Sequence, residues 1–401
     1  MSSTGPRRGI GALLATYWTF GGFWGVWAVV FTDFLDAHEL SPGGLSLQFA
    51  GLSVTAIAMM TFVAPHLETL PRRSAIGLGL GVHALGAALV ALLPTPALFL
   101  GFGVVGLGTG LVDVFVNSAG HQIEESAGRS VLQWVHAFYG VGGVTGGIGA
   151  GVALTLGVGY GPVLLATAVA QAAVTAWVLA SDPLHRRGQG GGTGERVSLA
   201  VFVARPALLL PGLVVLSSFF IEGSMDVWSV IFLRRTLGAS VMTGAIGFAA
   251  FAAAMAIGRA FAARVLFDLG YRRTILISGL GSLGAGAVAV LTGSPVVASL
   301  AFLVLGFALS AAGPAAFGLA GSEGGGRAIA AVTTLGYTGF VVGPPILGWL
   351  ADAVSLRATM VAVVVATLGV AAGALAHRGP RDEGRRSHEA AVAGVDRRGG
   401  G

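Results

Sequence analysis

Apolar stretches recur along the whole chain, and short polar or proline-containing segments separate them. A bilayer core about 30 Å thick needs roughly 20 apolar residues per helix, so this pattern predicts membrane-spanning helices. Dividing the sequence at its polar and proline-marked breaks gives twelve of them. We place these spans near residues 10–31, 45–64, 74–93, 97–119, 131–156, 162–181, 207–233, 240–260, 274–293, 296–318, 328–349 and 355–376.

The composition supports an all-α integral membrane protein. Hydrophobic residues make up 54% of the 401 positions and charged residues only 10%, well below the charged fraction of soluble domains. Most of the 66 glycines lie inside apolar stretches, where glycine lets transmembrane helices approach closely. The chain has no cysteine, which excludes a disulfide framework, a thiolate metal site and a catalytic cysteine.

The basic residues are distributed unevenly between the two sides of these predicted spans. All 23 are arginine. With an even number of spans both termini lie on one side, and that side receives 20 arginines against 3 on the other, Arg234, Arg235 and Arg357. Basic residues concentrate in cytoplasmic loops. We therefore expect a multi-pass protein of the cytoplasmic membrane, with both termini in the cytoplasm and no nucleic-acid partner.

The spans divide into two halves. Residues 1–181 and 207–376 hold six spans each, joined by a cytoplasmic linker at 182–206 and followed by a polar tail at 377–401 that we expect to be disordered. A weak repeat at an offset near 200 relates the halves. Parallel six-helix repeats are found in one large class of transporters, where the substrate site lies between the halves near the midplane. The residues at equivalent positions in the two halves are Arg72-Arg73 and Arg272-Arg273, Tyr139 and Tyr337, and Trp27 and Trp228.

Several stretches add a family resemblance to this architecture. They are GLVDVFVNSAG, GRSVLQWVHAFYGVGG, EGSMDVWSVIFLR, AAMAIGRAF and AVTTLGYTGFVVGPPILGWLADAVSLR. With the twelve spans and the paired arginine loops, they make the chain resemble the major facilitator superfamily over nearly its whole length, and the fold of that superfamily has twelve helices in two pseudo-symmetric halves. Within it, the stretches look similar to the fucose-permease-like branch and closest to the MosC-like bacterial permeases, which implies a sugar or an aminocyclitol as substrate.

Two motifs depart from the superfamily pattern. The first inner loop, VAPHLETLPRR, keeps Arg72 and Arg73 but lacks the usual glycine and aspartate. The fifth span, with GGVTGGIGAG, lacks the proline typical of exporters, whereas a Gly-Pro-Pro string lies in the eleventh span. The resemblance implies that the inner loops gate the cytoplasmic end. Their gating arginines would be Arg72, Arg73, Arg129, Arg272 and Arg273.

Glu222 and Asp226 lie four residues apart in the seventh predicted span and hence share a helix face. A charge inside the bilayer usually faces a cavity or a partner. Two carboxylates on one face repel each other, so we expect one of them to take up a proton near neutral pH. The resemblance places this helix beside the central cavity, which favours proton or substrate coupling. The alternative is a structural anchor that pairs them with Arg234 or Arg235 at the helix end.

A second polar group lies at the junction of the fourth and fifth predicted spans. Asp113 and Asn117 share a helix face, and Gln133 and His136 follow at the start of the fifth span. We expect them near the cytoplasmic end, within reach of the inner-loop arginines. The group then acts as an inner-gate latch, as a proton carrier involving Asp113 and His136, or as a passive hydrogen-bonded pair. Asn117 and Gln133 are also candidates to contact the substrate.

Aromatic and amide side chains are further candidates for the substrate cavity. They are Trp27, Trp228, Tyr139, Tyr337 and Gln48. Aromatic rings on cavity helices can stack against a cation or the apolar face of a sugar ring. The alternative for the tryptophans is a belt at the membrane interface.

These observations predict a secondary active transporter and no enzyme. Histidines outside the spans have no second ligand at metal spacing, so we assign no metal site and no cofactor. We expect a monomer in the lipid bilayer that moves a small polar solute (a sugar, a polyol or an aminocyclitol-like molecule) by alternating access, coupled to protons. The alternatives are a proton-driven exporter of a drug or secondary metabolite and, more remotely, a membrane sensor that transports nothing.

Overall fold

The computed structural model describes residues 4–127, 131–181 and 200–375, which are almost entirely helical. Helix α2 continues through irregular helical turns to Leu67, and α8 continues through one to Thr236. The helices of the N-terminal half are α1 Thr4–Ala37, α2 Pro42–Ala58, α3 Arg72–Leu92, α4 Leu98–Ala127, α5 Leu132–Thr155 and α6 Tyr160–Leu179. Those that follow are α7 Ala200–Ala204, α8 Leu209–Ile231, α9 Val241–Leu291, α10 Pro295–Leu309, α11 Ala312–Ala353 and α12 Leu356–Leu375.

Two of the ten helices able to cross a membrane in the described residues are far too long to cross once. Val241–Leu291 has 51 residues and Pro295–Ala353 has 59, against the roughly 20 that a bilayer needs. Each is bent at glycines with non-helical dihedrals, at Gly270 (φ 73°) in one and at Gly324 and Gly325 in the other. Each therefore crosses twice, which confirms the all-α prediction and the twelve spans.

The predicted linker and tail fall largely outside the described residues, which leave out 182–199 and 376–401. Within the linker range, Ala200–Ala204 forms the short helix α7. The last part of that segment is therefore helical, because its apolar residues AVFVA can pack on the bundle, as the buried Phe202 does.

Close glycine contacts hold the helices of the N-terminal half together. A Cβ atom at Gly25 of α1 would collide with the backbone carbonyl of Gly143 on α5, and one at Gly21 with the carbonyl of Tyr139. Only glycine permits so short a distance between helix axes. Between the halves, α5 packs on α9 and α2 packs on α11.

Polar contacts join the halves at one end of the bundle. We name the end predicted to face the cytoplasm the inner end and the opposite one the outer end. At the outer end, Arg234 pairs with Asp33 at 2.5 Å and Arg235 pairs with Asp36. Asp352, at the end of α11, accepts hydrogen bonds from the first residues of α2. The structure is thus closed at the outer end.

Candidate functional site

The N-terminal half contributes a hydrogen-bonded chain of polar side chains from α1, α4 and α5. The Tyr17 hydroxyl donates to Asp113 Oδ1 (3.2 Å), and Asn117 Nδ2 donates to the Tyr17 hydroxyl (3.1 Å). His136 Nε2 lies 3.1 Å from Asn117 Oδ1. The structure thus brings together Asp113, Asn117 and His136, as the sequence predicted, and adds Tyr17. Gln133 lies exposed in the first turn of α5, and no hydrogen bond between described residues joins it to this group of polar side chains.

Asp113 lies deeper than the sequence predicted. Helix α4 continues to Ala127, so Asp113 is at the middle of its 30 residues and not near the inner surface. The polar residues that follow Gly120 extend the helix instead of ending it, which is why the apolar run alone gave too short a span. The predicted contact of Asp113 with the inner-loop arginines, which would form a latch, is therefore not seen among the described residues. Arg72 lies over the Phe115 ring (5.5 Å), and Arg129 is outside the described residues.

The C-terminal half contributes an ion pair between α8 and α9. Arg259 Nη2 lies 2.5 Å from Glu222 Oε2, and Asp226 follows one turn along α8. The Arg259 side chain is 45% exposed and that of Glu222 is 20% exposed, so the pair is only partly buried. The pairing of these carboxylates with Arg234 or Arg235, expected if they were an anchor at the helix end, is wrong, because both arginines pair with aspartates of the other half.

The apolar pattern does not identify Arg259 as the partner of Glu222, because it ends the eighth span at residue 260 and groups this arginine with the cytoplasmic ones. Helix α9 continues beyond it to the bend at Gly270, so Arg259 lies inside the span. A carboxylate in the bilayer needs a partner, and that need was the signal that could have identified Arg259.

Two tyrosines connect the polar groups of the halves. Tyr139, on α5, lies near Asp113 of its own half and near Asp226 and Arg259 of the other. Tyr337, the residue related to it by the repeat, lies near Asp113 across the halves and is 43% exposed. The carboxylates, Arg259, the tyrosines and His136 therefore form one site between the halves, which we name the central polar site.

Two of the predicted cavity residues, both tryptophans, lie in the core. Trp27 is 1% exposed and packs against Phe23 (ring centroids 4.6 Å apart) and Phe102 (5.0 Å). Trp228 is 0% exposed and donates from Nε1 to the carbonyl of Pro344 (3.2 Å). The Oε1 atom of Gln48 is buried without a hydrogen-bond partner among the described residues. The two tryptophans are thus core residues, because helix packing covers their large apolar rings.

The inner-loop arginines occupy the ends of helices. Arg72 and Arg73 begin α3, and Arg72 is buried. After the bend in α9, Arg272 donates from Nε to the carbonyl of Ala374 (3.0 Å), and Arg273 is exposed. Each of these contacts lies within one half and does not join the two halves. The gating role of the loops therefore stays a prediction.

The central polar site has the chemistry of a proton-exchanging binding site. Carboxyl groups, phenols and an imidazole can pass protons, and the same groups with Asn117 can donate and accept hydrogen bonds to a polar solute. Within the described residues no three His, Asp or Glu side chains are grouped to hold a metal ion. A separate cavity of about 400 Å³ between α1, α5 and α6 is lined by apolar and small residues and three threonines, and carries no ionisable group.

Comparison with known proteins agrees with this architecture. The family model of the Major Facilitator Superfamily matches residues 12–325. An uncharacterized MFS-type transporter of Yersinia pestis is 31% identical over 309 residues, 76% of this chain and 79% of that protein. Membrane protein MosC of Rhizobium meliloti is 31% identical over 168 residues, 41% of each chain.

Solved structures share the fold. A bacterial homolog of the human lysosomal transporter Spinster, in an inward-facing and unoccupied conformation, superposes with a TM-score of 0.78 at 18% identity, over 93% of this chain and 97% of that one. Fold, twelve spans and family model therefore agree. The chain belongs to the Major Facilitator Superfamily and is a multi-pass membrane transporter.

Proposed function

We propose that the protein moves a small polar solute across the cytoplasmic membrane by alternating access, coupled to protons, with Glu222, Asp226 and Asp113 as the coupling groups. The observation that carries this proposal is the ion pair of Glu222 with Arg259 beside a second carboxylate, Asp226. One cation shared by two carboxylates has two arrangements, and a proton selects between them.

The coupling step follows from charge balance. With both carboxylates ionised, Arg259 compensates only one of them, and the second charge favours a cation or a proton in the site. Protonation of Glu222 would release the guanidinium toward Asp226 and toward Tyr139, which belongs to the other half. Protonation of Glu222 on α8 would thereby change the attraction between the halves, as alternating access requires.

The solute class follows from the side chains in reach. Asn117, His136 and Tyr139, which are at least partly exposed, offer hydrogen-bond donors and acceptors, and the last two add ring faces, which suits a ring that carries hydroxyl or amino groups. We further propose a member of the fucose-permease-like branch with an aminocyclitol-like solute, as the resemblance to MosC-like permeases implies; the partial similarity to membrane protein MosC supports that resemblance. We further propose a monomer with both termini in the cytoplasm.

The test is solute exchange in proteoliposomes. Vesicles loaded in turn with a sugar, a polyol or an aminocyclitol are diluted into a trace of the same labelled solute, and its accumulation by counterflow is measured. We expect accumulation of at least one of these solutes and no accumulation in empty liposomes. Counterflow of none of them, with drug-like amines exchanged instead, would establish the exporter alternative.

A further inference from the structure

Helix α11 carries two consecutive prolines, Pro344 and Pro345, in its outer part. In a helix the carbonyl of residue i accepts a hydrogen bond from the amide of residue i+4, or of i+3 in a tighter turn. For Val341 these two positions are Pro345 and Pro344, and proline has no amide hydrogen. The carbonyl of Val341 therefore has neither of its usual helical donors.

The other half supplies the donor. Ser53, on α2, donates from Oγ to the carbonyl of Val341 at 3.3 Å, and its side chain is 7% exposed. This bond belongs to a seam in which α2 and α11 run antiparallel. A Cβ at Gly348 would collide with the hydroxyl of Ser46, and Asp352 accepts from the first residues of α2.

A neighbouring bond in the same seam differs in one respect. Ser46 donates to the carbonyl of Pro344 at 3.3 Å, but that carbonyl also accepts from Trp228 Nε1 (3.2 Å). Residue i+4 for Pro344 is Gly348, which has an amide hydrogen. Loss of Ser46 therefore leaves the carbonyl of Pro344 with other donors, whereas loss of Ser53 leaves the carbonyl of Val341 without its described donor.

We propose that the proline pair makes Ser53 and the Val341 carbonyl a latch that holds the seam between α2 and α11, and with it the outer side of the two halves, closed. In the closed seam the serine satisfies the carbonyl, and when the seam opens water takes its place. A seam that separated without admitting water would leave a buried carbonyl unpaired, which is costly. The latch therefore favours two states, closed and fully open. The inference rests on the alternating access proposed above.

The experiment measures the distance between the outer ends. The chain has no cysteine, so cysteines at Ala37 and Val354, both exposed, take spin labels without background, and double electron–electron resonance gives the two populations. Ser53→Ala removes the latch donor, and we expect the ratio of open to closed molecules to rise about five- to tenfold. Ser46→Ala is the matched control, for which we expect a rise of less than about twofold.

Restoring the helical donor tests the role of the proline. Pro345→Ala returns an amide hydrogen to the carbonyl of Val341, so Ser53→Ala added to this variant should change the ratio by less than about twofold. Equal effects of Ser53→Ala with and without the proline, or equal effects of Ser53→Ala and Ser46→Ala, would overturn the latch. A single unchanging distance in the unsubstituted pair under all solutes and pH values would instead overturn the alternating access on which it rests.

Discussion

Arg259 and Glu222 form an ion pair inside the C-terminal half, with Nη2 and Oε2 2.5 Å apart, and Asp226 lies one helical turn beyond Glu222. This relationship explains why an arginine occurs inside α9 and why two acids occur on one face of α8. It also defines where a proton would change the balance of charge in the central polar site.

The ion pair predicts a specific pattern in variants. Arg259→Gln leaves the carboxylates without their cation, and Glu222→Gln leaves the cation without its closest partner. Because loss of one partner of a partly buried pair is destabilising, we expect each single variant to lose about 1–2 kcal/mol of stability and most of its uptake. The double variant should regain most of the stability but not the uptake. Thermal unfolding in detergent and solute uptake measure the two effects, and additive losses of stability would contradict the pair.

The outer ion pairs should differ in strength. Asp33 and Arg234 are 33% and 14% exposed, whereas Asp36 and Arg235 are 67% and 28% exposed. Exposed pairs contribute little. Asp33→Asn should therefore open the outer end, with a several-fold rise in the ratio of open to closed molecules measured between spin labels at Ala37 and Val354. Asp36→Asn is the control and should leave this ratio nearly unchanged. A larger effect of Asp36→Asn than of Asp33→Asn would show that burial of the pair does not determine its contribution.

His38, just beyond α1, should make stability depend on pH. Its ring bonds to Thr95 Oγ1 (3.0 Å) and to the Tyr160 hydroxyl (2.9 Å), and burial lowers the pKa of His38. The unfolded chain then binds the proton more readily, so the contribution is full above about pH 6.5 and decreases as the pH falls below it. Melting temperatures across this range should decrease less in His38→Gln than in the unsubstituted protein. Parallel curves for the two would refute the assignment.

The contact of α1 with α5 predicts a large difference between two glycines. Gly25→Ala places a methyl group against the carbonyl of Gly143, whereas a Cβ at Gly149 has nothing within 4 Å. Overpacking of this kind costs about 1–3 kcal/mol or more. We expect Gly25→Ala to lower the melting temperature and yield of the purified protein, and Gly149→Ala to leave both unchanged. Equal melting temperatures would mean that α1 and α5 do not pack this closely.

The sequence was sufficient for the fold because the signals were long and repeated. Twelve apolar runs, the arginine asymmetry and the offset near 200 predict two six-helix halves without tertiary information. Glu222 and Asp226 were identified because a charge inside an apolar run is conspicuous.

The missed features depend on contacts between helices or on helix ends. Arg259 and Asp113 were placed too near the inner surface because their helices continue through polar residues, so an apolar run underestimates the span. Trp27, a candidate for the cavity or for an interfacial belt, is instead a core residue, and no pattern within α1 reveals that Phe23 and Phe102 cover it. The Val341 carbonyl follows from the proline pair, but its donor on α2 is visible only once the halves are packed.

Proton movement in Asp226→Asn tests the central claim most directly. Proteoliposomes that enclose a pH-sensitive dye receive a solute that the unsubstituted protein exchanges, and the pH inside the vesicles is recorded. We predict a solute-driven pH change for the unsubstituted protein, its loss in Asp226→Asn, and counterflow of the same solute preserved in that variant. An undiminished pH change in Asp226→Asn, with counterflow intact, would contradict the account.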